Sequence, residues 1–271
     1  MSAVLRPPEP GVTTLDVAAL HHRLREFLGP REHWWPVETR TEILLGSVLV
    51  QNTNWRNADR SLAALREAGM LDLDEIAALA PAELTELIRP SGFQTAKART
   101  IGRLAEWAIR RHRVGRSGGA TTDDPAGRTG SSRWLGPELV GELTTAGLRA
   151  ELLSIPGVGP ETADVLLLYV FERPVFVADS YARRLFTRLG AQPPRGYEGF
   201  ARQVHDSVDF TVSQWQEFHG LIDDFAKVYC RTDETWRNSP LGGVGMATPI
   251  VGIPGRAGVG SSWSDRDVRL N

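Results

Sequence analysis

Apolar residues recur at three- and four-residue spacing along most of this chain, the period of an amphipathic helix. Val17, Leu20, Leu24, Phe27 and Leu28 form the first stripe, with Thr14 placed to cap it and Gly29-Pro30 to end it. Ile43, Leu44, Val48 and Leu49 mark a second helix over about 41–50. A third runs through Leu62 and Leu65 behind a Thr53 or Asn54 cap. Two short helices, DEIAALA and PAELTELIR, are divided by Pro81. A longer one spans about 95–113, with Ile101, Leu104, Trp107 and Ala108 inward. Leu148, Leu152, Leu153 and Ile155 lead into a tight turn, and helices are expected after Pro160, after Asp179, and over 197–208 and 213–229. No stretch sustains period-two alternation, and Val175-Phe176-Val177 is a connector at most. The pattern predicts an all-α fold.

The chain is organised around residues 152–189, which read as helix, Pro-Gly hairpin, helix, extended connector and helix. Gly157 and Gly159 flank Val158, and Pro160 suits the first helical position, where a missing N–H costs nothing. Glycines permit φ > 0 and close approach of another backbone. Such a turn at a helix N-terminus can hold an anion, a duplex phosphate included. It can equally be an ordinary αα-hairpin.

Composition narrows the class. A chain of 271 residues with 41% hydrophobic content can bury one large core or two modest ones. A net charge of −2 gives no global pull toward nucleic acid, so any such binding must come from local patches. The long helix offers one in Lys97, Arg99, Arg103, Arg110, Arg111 and Arg113, opposed by Glu106, although a charge run is also an ordinary solvated face. Asp72, Asp74, Glu75, Glu83 and Glu86 make the preceding segment acidic. One cysteine, Cys230, excludes an intramolecular disulfide and fits a reducing interior. No apolar run suggests a signal peptide or a membrane span, so a soluble cytoplasmic protein is expected, nucleoid-associated if bacterial. The Pro-rich arm 1–12, the Gly/Ser/Thr/Asp-rich insert 114–133 and the Gly-rich tail from about 238 are expected to be unstructured.

Several residues carry candidate chemistry. Trp34 and Trp35 cannot share one helix face; they either pack between domains or wall a site for an extruded base. Gln51-Asn52-Thr53-Asn54 is an amide-rich turn that either caps helices or touches a ligand. Asp179 is a preferred N-cap residue, and a helix N-terminus keeps its carboxylate ionised. A carboxylate can also stabilise cationic character on a sugar or orient a water.

The string Leu152-x-x-Ile155-Pro156-Gly157-Val158-Gly159-x-x-Thr162-Ala163, followed by Asp179 eighteen residues after Glu161, resembles a known family. It is similar to the helix-hairpin-helix, Gly/Pro-rich loop and catalytic aspartate of the endonuclease III superfamily of DNA glycosylases. Trp34-Trp35-Pro36, Gln51-Asn52-Thr53-x-Trp55 and Ser91-Gly92-Phe93 with Lys97-Ala98 look most like its iron–sulfur-free 3-methyladenine glycosylase branch. The resemblance implies two helical domains, 1–37 with 174–271 and an inserted 38–173, with a DNA cleft between them. It implies catalysis by Asp179, a Gln51 that wedges into the space left by a flipped base, and DNA contacts from Gly157, Val158, Gly159 and Thr162. Trp35 first, then Trp34 and Trp55, with Pro36 and Lys227, would line the base pocket. The hairpin could hold a cation. His219 is expected to be structural.

Two departures refine this. Bifunctional members carry lysine where this chain has Glu161, and a carboxylate cannot form their Schiff base, so base excision without lyase activity is expected. Relatives with an iron–sulfur cluster have four cysteines after the last helix, and one thiolate cannot hold a cluster. Expected partners are duplex DNA with a damaged base and no membrane, for a monomer without cofactor. An alkylated purine such as 3-methyladenine is the expected substrate, being cationic and labile. A mismatched or deaminated pyrimidine, or non-catalytic DNA binding, are the alternatives.

Overall fold

The computed structural model describes residues 15–31, 34–116 and 130–242. The expectations for the arm 1–12, for most of the 114–133 insert and for the tail beyond 242 lie outside them. The described residues are helical, without strands. They divide into two compact units: the chain through Trp34 together with that from Val175 onward, and Trp35–Pro174.

The second unit holds α2 (Arg40–Leu49), α3 (Trp55–Glu67), α4 (Leu73–Ala78), α5 (Pro81–Leu87), α6 (Gln94–Arg116), α7 (Pro137–Val140), α8 (Thr145–Leu153) and α9 (Pro160–Val165). Thr39 and Glu42 close a reciprocal capping box on α2, and Asn54, not Thr53, caps α3. Leu44, Leu45, Leu62, Ile101, Leu104 and Leu166 are fully buried and make its core. After α9 the helix widens over Leu166–Val170, where Phe171 N–H reaches the Leu166 carbonyl at 3.0 Å. Glu172 then takes a left-handed conformation (φ 52°), and Arg173 N–H closes back on the Leu167 carbonyl at 2.8 Å. Arg149 of α8 grips Asp164 of α9 with two hydrogen bonds, 2.7 and 3.2 Å. Both side chains are buried, so breaking this pair would strand a charge at a cost of about 3–5 kcal/mol. That pair fixes the two arms of the hairpin.

The other unit holds α1 (Val17–Leu28), α10 (Ser180–Arg188), α11 (Tyr197–His205), α12 (Val212–Tyr229) and α13 (Asp233–Arg237). The α1 cap is Asp16, whose carboxylate accepts from Ala19 N–H at 2.9 Å, so the helix starts beyond the expected Thr14. Phe27 leaves the expected stripe and stays half exposed against Phe225 and Tyr229. The apolar connector Val175-Phe176-Val177 is buried and belongs to no helix or strand. Its Phe176 ring enters an aromatic core 5.6 Å from the rings of Phe200 and Trp215. This anchors the chain three residues before Asp179.

Candidate active site

In the second unit the hairpin is braced from two sides. Gly157 has φ 99°, and a Cβ there would lie 1.9 Å from Thr100 Oγ1 of α6, so both conformation and space require glycine. Gly159 is extended (φ −90°) as the α9 N-cap and does not use the freedom expected of it. Val158 turns its side chain inward. The Gln51 amide nitrogen donates to Thr162 Oγ1 at 2.8 Å and to the Gly157 carbonyl at 3.2 Å. The residue expected as a wedge is therefore tied to the hairpin, and Gln51, Gly157 and Thr162 form one constellation. Glu161 stands in the first turn of α9 at the surface, and desolvation, with the Asp164 charge behind it, raises its carboxyl above the ordinary range in spite of the helix dipole.

Part of the expected basic face of α6 is committed inside the unit, while Arg99, Arg103, Arg110 and Arg113 stay exposed. Lys97 is buried, donating to the carbonyls of Leu49 at 2.8 Å and Ser91 at 2.7 Å. Desolvation lowers its pKa to about 8. Arg103 donates to the Pro156 carbonyl, and Arg111 pairs with Glu151. A helix wheel cannot distinguish these from solvated residues, because the partners are carbonyls and carboxylates distant in sequence.

Trp35, the ring expected first in the base wall, is packed in the second unit's interior. It stands edge-on to Trp55 and Tyr169, with centroids 5.3 and 5.9 Å away. Gly46 of α2 makes room: a Cβ there would lie 3.1 Å from the Trp35 ring. Trp55 is half buried and Pro36 exposed beside this cluster.

The other unit gathers Asp179, Trp34 and Lys227 around a residue expected to be structural, His219. Asp179 caps α10, its Oδ1 accepting from Ala182 N–H at 2.7 Å. The carboxylate is buried, and its Oδ2 lies 3.9 Å from His219 Nε2. Trp34 sits edge-on to the imidazole at 5.0 Å and donates its indole N–H to Asp224 at 3.2 Å. A Cβ on Gly220 would lie 2.6 Å from Trp34 Cγ, so this helical glycine is the seat of the ring. The Lys227 ammonium lies 5.6 and 5.4 Å from the ring centres of Trp34 and Tyr181, and it pairs with Asp223. Burial, and secondarily the Lys227 charge, pushes the His219 pKa down to about 3, so the imidazole is neutral. Burial raises the Asp223 carboxyl, against the pull of Lys227. The signal for His219 was its place in the chain: one residue before a mid-helix glycine and two turns before Lys227.

Cys230 is buried, with its thiol pushed up to about 11 by desolvation, which makes it an inert packing residue. One cysteine does not fit an iron–sulfur cluster, whatever the family's other members hold. Among the described residues no group of three or more His, Cys, Asp or Glu could hold a metal ion. No described helix is long and apolar enough to cross a membrane.

Residues 45–208, more than half of the chain, match the model of the HhH-GPD superfamily base excision DNA repair proteins. A Methanocaldococcus jannaschii protein with the provisional name of DNA repair glycosylase is 33% identical over 219 residues, covering 80% of this chain and 90% of its own. The 3-methyladenine DNA glycosylase MagIII of H. pylori, solved with 1,N6-ethenoadenine, superposes with a TM-score of 0.58. It is 26% identical, over 79% of this chain and 98% of that one. An endonuclease III–DNA complex, 19% identical over 83% of this chain and 91% of that one, shares the fold with a TM-score of 0.62. The chain belongs to the HhH-GPD superfamily of base excision DNA repair proteins.

Proposed function

We propose that this protein is a monofunctional DNA glycosylase, acting as a monomer on duplex DNA and hydrolysing the N-glycosidic bond of an alkylated purine such as 3-methyladenine. The observation that carries the reading is the buried, cap-fixed Asp179 carboxylate in one cluster with an aromatic ring and a paired lysine. As the C1′–N bond breaks, its electron pair leaves with the base and the deoxyribose gains oxocarbenium character. A fixed carboxylate in a low-dielectric setting stabilises that cation without having to reorganise. Water then bonds to C1′ and gives up its proton to the carboxylate or to solvent, so the step consumes only water. A purine alkylated at N3 is already cationic and departs neutral, which removes the need for leaving-group protonation.

Duplex binding falls to the hairpin and its Gln51 brace, where the open space beside Gly159 leaves room for a phosphate to approach backbone N–H groups. The absence of lyase activity follows from the amine inventory. The chain has two lysines: Lys97, whose ammonium is bonded to two carbonyls, and Lys227, paired with Asp223. Position 161, where a nucleophilic lysine would stand, is a glutamate. A release assay with duplexes bearing 3-methyladenine, 1,N6-ethenoadenine, uracil or a thymine mismatch tests the substrate. Release of the alkylated purine is expected; release of the pyrimidines alone would replace the substrate assignment.

A further inference from the structure

We infer that His219 is a positioning residue for Asp179, fixing the carboxylate oxygen that the helix cap does not use and tying the placement of Trp34 to it. The inference rests on the catalytic reading of Asp179 given above. The two carboxylate oxygens are differently engaged: Oδ1 accepts the Ala182 N–H at 2.7 Å, while Oδ2 is 3.9 Å from His219 Nε2. At 3.9 Å the two atoms are in ion-pair range but not hydrogen-bonded, and on this inference the contact tightens when substrate binds. His219 and Asp179 are both buried, so the imidazole has little freedom to point elsewhere. The adjacent Gly220 carries the Trp34 ring, which stands edge-on to the same imidazole. Ring, imidazole and carboxylate thus stand in series, the first two set by consecutive residues of α12.

The charge state suits this role. The charged groups around His219 are Asp179 on α10, Lys227 on α12 with its partner Asp223, and Asp224 behind Trp34. Held at about 3, the His219 pKa leaves a neutral ring that can donate one hydrogen bond without cancelling the negative charge beside the sugar. An imidazolium there would form an ion pair with Asp179 and weaken the field that favours the oxocarbenium ion.

The test needs no knowledge of the lesion. Full-length protein is titrated with duplexes carrying a cationic pyrrolidine abasic-site analogue or its neutral tetrahydrofuran counterpart, and the ratio of the two affinities is read. The native ratio should favour the cationic analogue and stay level from pH 8 to 5. His219→Phe should lower it roughly tenfold, within the range for a hydrogen bond to a charged group, with tetrahydrofuran affinity unchanged. His219→Gln, which keeps a donor, should recover most of it. A Phe variant with the full ratio, a Gln variant no better than Phe, or a native titration near pH 6.5 that disappears in His219→Gln would each overturn the inference. A native protein with no cationic preference, matched by Asp179→Asn, would instead remove the catalytic reading and this inference with it.

Discussion

Replacing Gly220 by alanine separates the seat of Trp34 from ordinary helix energetics, because two opposing terms can be written for it. Within a helix, glycine to alanine stabilises by about 0.8–1 kcal/mol, since alanine loses less backbone entropy on folding. Against this, the new methyl would sit 2.6, 2.7 and 2.9 Å from Trp34 Cγ, Cδ1 and Cβ. These atoms are the root of a rigid ring, so the whole indole must move, and overpacking of this kind costs about 1–3 kcal/mol. The net change is a loss of roughly 0–2 kcal/mol, or a melting temperature lower by about 0–8 °C at roughly 2–4 °C per kcal/mol. Excision should suffer more than stability. Moving the ring removes a stacking surface worth about 1–3 kcal/mol, equivalent to roughly ten- to a hundredfold in single-turnover release. Thermal melts and single-turnover assays on the same preparation read both numbers. A variant that melts higher than native and excises at the native rate would refute the seating of Trp34 on α12 and its part in the site.

Three further outcomes are expected. Trp34→Ala should lose excision with little change in melting, whereas Trp35→Ala should lose about 3–5 kcal/mol of stability as a buried ring; equal stability losses would contradict the division between them. Borohydride should trap no covalent protein–DNA adduct, because Lys97 is held by two carbonyls and Lys227 by Asp223; a strong trapped band lost in a Lys227→Gln variant would establish a lyase nucleophile. Lys97 is held at about 8 in the fold against about 10.5 unfolded, so the unfolded chain binds the extra proton between those values. Native stability should therefore rise with pH across that window relative to Lys97→Met, and the same slope in both proteins would show that Lys97 is not desolvated.

The helices were legible because their apolar stripes and caps are local. Asp179, Asn54 and the Pro160 start stand where side-chain chemistry alone puts them. What sequence could not give was the direction of side chains across long separations. Lys97 reads as one more cation on a basic face, yet its partners are 48 and 6 residues away and both are backbone carbonyls. Trp34 and Trp35 are neighbours in sequence, but each rests on a different helical glycine, Gly220 and Gly46, in different units. The adjacent Pro36 favours Trp35 over Trp34 as the wall, a local cue blind to those seats. His219 reads as structural from its own stretch of chain, and its 3.9 Å approach to Asp179 spans 40 positions.

On the proposed mechanism the Asp179 carboxylate drives base release. The most direct measurement is single-turnover excision of 3-methyladenine from duplex DNA by native protein and Asp179→Asn, with duplex affinity measured alongside. The amide keeps the volume and can still accept the cap hydrogen bond from Ala182 N–H, but it carries no charge. Loss of release by about a hundredfold or more, with duplex affinity retained, is the expected result. Release at the native rate by the asparagine variant would remove the Asp179 charge from the chemistry.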